Sequence, residues 1–360
     1  MEKKYQYLVF LYSALILIAL QTASIAEEVN MVVCSTSVEN PRNTEADLIA
    51  LKDGRLFLAY SRFRGSTDDN ASADIYGIYS SDRGKSWSKP QCIFPNTAVM
   101  NLMSVSLLRL RNGKIMIGYL RKNAEYDCRM VVRISEDETK TWGPEIPVTK
   151  PQIYYVVNNN RIIQLSSGRL LIPASNHGDY REGKASFAEI YYSDDDGKTW
   201  VLAPGKVNLP GIGVQEPGVV ELMNRSVYMI LRNSLGSIHA AISQDGGLTW
   251  GEPFSTGLVS PVAPASINRI PQTGDLLMIY NNNPKQRLPL TAALSNDEGK
   301  TWRVARDLED KGSHYAYTSI TFIENEAFLT YYSVEKEKQT GIDTCVLKLR
   351  ILPSTWFYGK

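Results

Sequence analysis

The chain has three histidines in 360 residues, without metal-ligand spacing, and no acidic loop of EF-hand type, so nothing in it suggests a metal centre or other cofactor. Charge of one sign is missing too. Thirty-nine Lys and Arg oppose 38 Asp and Glu, and no basic run occurs, which argues against nucleic acid or an anionic membrane as partner. The expected partner is a small molecule or glycan. Long helical periodicity, linkers and low-complexity stretches are absent, so the body reads as one domain. Cysteines number four (Cys34, Cys92, Cys128, Cys345), again without metal spacing. In an oxidising compartment they allow two bridges in three pairings, and a Cys34 to Cys345 bridge would staple a ring shut; buried free thiols are the other reading. Only one long apolar run occurs, residues 8–20, preceded by Lys3 and Lys4 and followed by Ser24, Ile25 and Ala26. It reads as a signal peptide over 1–26, with 27–360 as the mature body. The run is short for a bilayer span, an uncleaved anchor being the alternative. The body is expected to be exported, periplasmic or extracellular, with no stable membrane insertion after cleavage.

Tryptophan is what the chain repeats. Five of the six close the phrase Ser-x-Asp-x-Gly-x-Ser/Thr-Trp: Ser80 to Trp87, Ser135 to Trp142 with Thr139 for the glycine, Ser193 to Trp200, Ser243 to Trp250 and Ser295 to Trp302. A period near 50 residues marks a propeller or solenoid, whose units bury apolar faces against their neighbours. The phrase itself is a turn: Asp bonds its own backbone, Gly accepts positive φ, and Trp caps the unit. It does not require catalysis.

A second repeat runs six times: an apolar residue, a turn, then an alternating strand. Its turns lie at Asp53-Gly54, Asn112-Gly113, Ser167-Gly168, Asn224-Arg225, within residues 270–280, and at Asn325. Each is a hairpin signal, and the first five are followed about 20 residues later by the tryptophan phrase on a second hairpin. The expected fold is all-β, a six-bladed β-propeller with four-stranded antiparallel blades. The last unit lacks the phrase, but residues 345–351 read as a late strand that an early strand at 31–33 completes, closing the ring.

The phrase is the Asp box, and with six blades and a secretion signal the chain resembles the sialidase (neuraminidase) superfamily, in its bacterial BNR-repeat group. The resemblance spans nearly the whole mature chain, and it supports the fold more than the activity. It implies a secreted, exo-acting glycoside hydrolase that releases a terminal, sialic-acid-like sugar from glycoconjugates with retention. The sugar carries a carboxylate on its anomeric carbon, so the implied nucleophile is a Tyr activated by a Glu, with an Asp acid/base and arginines that clamp the carboxylate. Tyr317, in Ala316-Tyr317-Thr318-Ser319, resembles the nucleophile segment, although Ser319 stands where the family has Asp. Glu216, in Gln215-Glu216-Pro217-Gly218, matches its base. Arg232 and Arg287 fall at clamp positions, and Arg62 ends the first-repeat strand as the family's arginine does. The acid/base belongs to the loop after Arg62, where Asp69 is favoured over Asp68.

One segment departs from the family. Its first clamp arginine belongs to Tyr-Arg-Ile-Pro, whereas here Asn40-Pro41-Arg42-Asn43-Thr44-Glu45 places Arg42 two residues early and Glu45 nearer the expected place. A carboxylate there would repel a substrate carboxylate but bond the hydroxyls of a neutral sugar. Whether Arg42 or Glu45 faces the pocket stays open. Two further readings follow: a hydrolase or lyase for another terminal sugar such as a uronic acid, or a non-catalytic glycan-binding propeller. Asn158, Asn159, Asn160 and Arg161, the amides Asn281 to Asn283, and His177 are additional candidates to line the site, ordinary turn chemistry being the alternative.

Overall fold

Short alternating segments divided by Gly or Asn turns satisfy their backbone groups by pairing with one another, one face of each sheet turned to a neighbour. A computed structural model describes residues 28–312, 314–336, 341 and 343–359. The expected signal peptide lies outside the described residues. The chain begins with β1 (Val29–Cys34), β2 (Arg42–Ala50), β3 (Leu56–Phe63), β4 (Ala73–Ser80) and β5 (Gln91–Phe94). One four-stranded sheet holds β6 (Asn101–Arg109), β7 (Ile115–Ala124), β8 (Asp127–Ser135) and β9 (Ile146–Pro147). A five-stranded sheet follows: β10 (Tyr155–Val156) and β11 (Ile163–Gln164) both pair with β12 (Leu170–Asn176), beside β13 (Phe187–Ser193) and β14 (Val201–Val207). Two more four-stranded sheets are β15 (Gln215–Glu221), β16 (Val227–Arg232), β17 (Ser237–Ser243), β18 (Phe254–Val259), and β19 (Ser266–Arg269), β20 (Leu276–Asn281), β21 (Leu290–Ser295), β22 (Arg303–Glu309). The strands β23 (Tyr315–Ile323), β24 (Glu326–Lys336) and β25 (Asp343–Pro353) then return to the first.

The fold is all-β with a propeller arrangement, but the six separate blades expected from the repeats are corrected by the hydrogen bonding. Four sheets stand as discrete blades, and the remaining strands form one eight-stranded sheet in the order β23-β24-β25-β2-β3-β4-β5, with β1 on β25. The cause is one parallel pair, Arg42 with Cys345, which joins β2 to β25. Sequence repeats count units and cannot show a bond between the first and last of them. Leu48, Leu58 and Tyr60 of one half share an apolar cluster with Phe328, Leu347 and Ile351 of the other, so the two halves also pack face to face. Elsewhere each cluster spans neighbouring sheets, as where Phe57 and Ile75 meet Leu107 and Ile117.

Of the two readings open for the cysteines, bridges and free thiols, the structure has the second. All four cysteines are free thiols, and β1 is held to β25 by an antiparallel ladder in which Cys34 faces Leu347.

Every Asp box starts on the last residue of a blade's third strand and has the same bonding. Ser80 Oγ donates to Asp82 Oδ1 at 2.8 Å and accepts from Gly84 N at 2.8 Å, while the Asp82 carboxylate takes the N–H and hydroxyl of Ser86. Those bonds, from Ser86 first, pull the Asp82 carboxyl down to about 2. The fifth position of the phrase needs positive φ, +86° at Gly84 and +71° even at Thr139. A Cβ on Gly84 would lie 2.8 Å from Ile351 Cδ1, so the turn also presses on its neighbour.

Candidate active site

Four first strands carry a bulge. The register skips from Thr44 to Asp47 in β2, Met103 to Ser106 in β6, Gln215 to Gly218 in β15, and Ala316 to Ser319 in β23. Within each skip sits a non-glycine residue with positive φ: Glu45 at 54°, Ser104 at 62°, Glu216 at 29° and Tyr317 at 58°. Such conformations cost on the order of 1 kcal/mol each and persist where the surroundings over-determine them. Here all four side chains line one cavity of about 290 Å³.

The cavity lining is mixed. Met103, Leu120, Tyr154 and Val156 contribute apolar surface, and Arg42, Asp69, Arg232 and Arg287 contribute charge. Arg42 is nearly saturated: Nη1 donates to Asp69 Oδ1 at 2.5 Å and to Thr67 O, and Nη2 donates to Glu45 Oε1 at 3.0 Å. Glu45 Oε2 accepts from Ser104 Oγ at 3.0 Å. Burial drives the Glu45 carboxyl up to about 7, against the pull of Arg42. Burial also acts to raise Asp69, but Arg42 beside it, helped by Lys122 and Arg287, outweighs this and holds the carboxyl below its ordinary value.

Tyr317 stands among charges. Burial raises its phenol above the ordinary range and the Glu216 carboxylate adds to that, while Arg232 and Arg287 oppose both. Arg232 Nη1 donates to Glu216 Oε2. Arg287 bonds the Tyr332 hydroxyl at 2.7 Å and lies 5.8 Å from the Tyr317 ring centroid. No carboxylate among the described residues is within ion-pair distance of Arg287, which leaves its charge available to an anion.

Seven of the eight expected residues thus converge: Tyr317, Glu216, Asp69, Arg232, Arg287, Arg42 and Glu45. The alternative between Arg42 and Glu45 resolves as both. Arg62 does not line the cavity; it bonds Asn40 Oδ1 at 2.5 Å and covers Tyr76. Asp68 is an exposed turn residue that accepts from Asn70 N, whereas Asp69 reaches the cavity. His177 lines it too, with Nε2 at 3.0 Å from Ser175 Oγ and a ring that burial lowers to about 4. Asn158, Asn159, Asn160 and Arg161 lie outside the cavity lining, and Asn281 is buried on the carbonyls of Tyr315 and Pro289. Among the described residues no group of three or more His, Cys, Asp or Glu is arranged to hold a metal ion.

Sequence reasoning missed Ser104 and Lys122. Ser104 had a signal: Glu45, Ser104 and Glu216 each lie nine residues before a positive-φ turn residue, Gly54, Gly113 and Arg225. Lys122 had none. It is buried, its Nζ donates to Asp69 O at 3.3 Å, and it lies 5.1 Å from the Tyr154 ring centroid.

Residues 121–329 match the BNR repeat-like domain family. The chain belongs to the sialidase and BNR-repeat superfamily. Among other superfamily members, it is 26% identical over 327 residues to a sialidase of Bacteroides fragilis (strain YCH46), covering 79% of this chain and 58% of that one. A sialidase of Clostridium perfringens is 25% identical over 225 residues, covering 56% of this chain and 58% of that one. The superfamily fold recurs in solved structures. A protein of unknown function from Dyadobacter fermentans DSM 18053 superposes with TM-score 0.72 at 19% identity, covering 91% of this chain and 98% of that one. Trypanosoma rangeli sialidase in complex with the inhibitor DANA gives 0.71 at 16% identity, covering 90% and 59%. The match therefore spans somewhat over half the length of these curated sialidases.

Proposed function

We propose that the chain is an exo-acting, retaining glycoside hydrolase that releases a terminal sialic-acid-like sugar. The observation that carries this is the entry of Tyr317, Glu216, Asp69 and three arginines into one cavity from six separate segments of the chain. The sialidases among its relatives support it. Arg287 and Arg232, joined by Arg42, bind the sugar carboxylate. Tyr317 oxygen attacks the anomeric carbon as Glu216 takes the phenol proton, and the bond to the leaving oxygen breaks as the Asp69 carboxyl protonates it. Water then attacks the same carbon from the side the leaving group vacated and gives its proton to Asp69. The tyrosyl oxygen departs and recovers its proton from Glu216, so configuration is retained.

Asp69 must be protonated for the first step, and Arg42 opposes that. A substrate carboxylate competes for the same guanidinium and frees Asp69 to take the proton. The reading includes export, with residues 1–26 removed; N-terminal sequencing of the secreted protein should begin at Glu27.

The test compares wild type and Tyr317→Phe on an aryl sialoside and on a panel of other aryl glycosides. Sialoside turnover that the substitution abolishes supports the proposal. Glu45 beside Arg42 favours a second reading, a hydrolase or lyase for another terminal sugar such as a uronic acid, which cleavage of only a different glycoside would select. Absence of turnover with retained glycan binding would reject both.

A further inference from the structure

A bulge that aims a side chain also removes backbone groups from the ladder. The skip in β23 leaves the carbonyls of Tyr317 and Thr318 without a strand partner, the skip in β2 leaves Ala46, and that in β6 leaves Val105. A buried carbonyl without a donor costs about 1–3 kcal/mol. The irregular stretch between β10 and β11 supplies most of these donors. Asn159 Nδ2 donates to Ala46 O at 2.8 Å and to Tyr317 O at 3.0 Å, the former carbonyl also taking a longer bond from Thr330 Oγ1 at 3.4 Å. The backbone N–H of Asn160 donates to Val105 O at 3.1 Å, and its side chain donates to Asp47 and accepts from Ile320 N. Arg161 donates from its backbone to Ser106 Oγ and from Nη2 to Ala265 O at 2.7 Å, and a Cβ on Gly218 would come within 3.3 Å of its Nε. Three consecutive residues therefore touch β2, β6, β15, β23 and the entry to β19. Asn159 is fully buried and both donors of its Nδ2 are spent on protein rather than on sugar hydroxyls, while its Oδ1 is buried without a partner.

We propose that Asn159 is a positioning residue, whose single amide group fixes the two bulges from which Tyr317 and Glu45 enter the cavity. The residue type follows from the geometry. Two carbonyls need two donors on one short, planar group; serine has one, glutamine is a carbon longer, and ionised aspartate has none. The catalytic consequence rests on the reading of Tyr317 as nucleophile, but the tie between the two strands does not.

The experiment uses the full mature chain as wild type, Asn159→Ala and Asn159→Asp, with hydrogen exchange read by mass spectrometry and with kcat and KM for an aryl sialoside. In Asn159→Ala, exchange should rise about tenfold together in residues 44–48 and 315–323 and stay unchanged in β20 and β21. Turnover should fall about 10²-fold, as expected of a misplaced reacting group, with KM within about threefold. Asn159→Asp should recover part of kcat as pH falls, because the protonated acid regains one donor, and it serves alone if the alanine variant does not fold. Unchanged exchange in either segment overturns the tie. Altered exchange with wild-type kcat, or a loss wholly in KM, overturns the positioning role. A wild type inert on the sialoside defeats the functional reading instead, and the exchange result still decides the tie.

Discussion

Asp69 Oδ1 lies 2.5 Å from Nη1 of Arg42, so the carboxyl proposed to move the proton and a guanidinium proposed to hold the substrate neutralise each other. The first prediction concerns this pair. With an alkyl leaving group, departure needs a proton, and with a nitrophenyl group it does not. Asp69→Asn should lower the ratio of alkyl-sialoside to nitrophenyl-sialoside turnover by at least about tenfold, measured as kcat/KM for each. An unchanged ratio assigns the proton to another group.

Arg287 offers a cleaner measure of anion binding, because among the described residues its charge has no carboxylate partner to release. Arg287→Met should weaken binding of a sugar carboxylate by about 10²-fold, the scale of a charged hydrogen bond at 1.4 kcal/mol per tenfold. Calorimetry with the free acid and its methyl ester checks this. An equal loss for both ligands would show that Arg287 serves packing and not charge.

Glu45 and Asp47 make stability depend on pH in an unusual direction. Burial raises each carboxyl to about 7 in the folded chain, above ordinary values of 4.5 and 3.8. Between those limits the native state binds more protons than the unfolded state, so unfolding free energy falls as pH rises. Urea denaturation at pH 5 and pH 8 should show lower stability at pH 8. Glu45→Gln should flatten part of that slope and leave the share due to Asp47. His177, lowered from 6.5 to about 4 by burial, pulls the slope the other way between those values, so a net rise with pH would mean that the two carboxyls do not outweigh it.

Thiol chemistry tests the cysteine assignment. Cys92 is exposed, Cys34 and Cys128 are buried, and Cys345 is intermediate. Native protein should react quickly with an aromatic disulfide reagent at Cys92, and unfolded protein without reductant should titrate four thiols. Two after unfolding would restore a bridge.

The Asp boxes were legible because a turn is a local object: Ser80, Asp82 and Gly84 carry its chemistry within five residues. Tyr317, Glu216, Arg232 and Arg287 were singled out by resemblance to family segments placed against the repeat strands, and the structure brings all four to one cavity. Arg62 was misplaced because it lies at the end of β3, one residue before Phe63, and nothing local says that it covers Tyr76 and reaches back to Asn40. The bulges were hidden for a different reason. Glu45 and Tyr317 adopt positive φ without being glycine, so no residue type announced the turn of direction. Asn158 to Asn160 could be offered only as candidates to line the site or as turn residues, because composition cannot distinguish an amide facing a ligand from one, such as Asn159, facing bulge carbonyls.

The parallel pair of Arg42 and Cys345 also bears on when the protein can work. Both residues line the cavity, and about 300 positions separate them along the chain. During synthesis the early strands can assemble, but the wall beside Arg42 stays open until the strand of Cys345 has been made. Such long-range pairing makes folding slow. Any binding power the cavity holds therefore arrives late and in one step, and a nascent or C-terminally clipped chain should fold blades before it can hold a ligand.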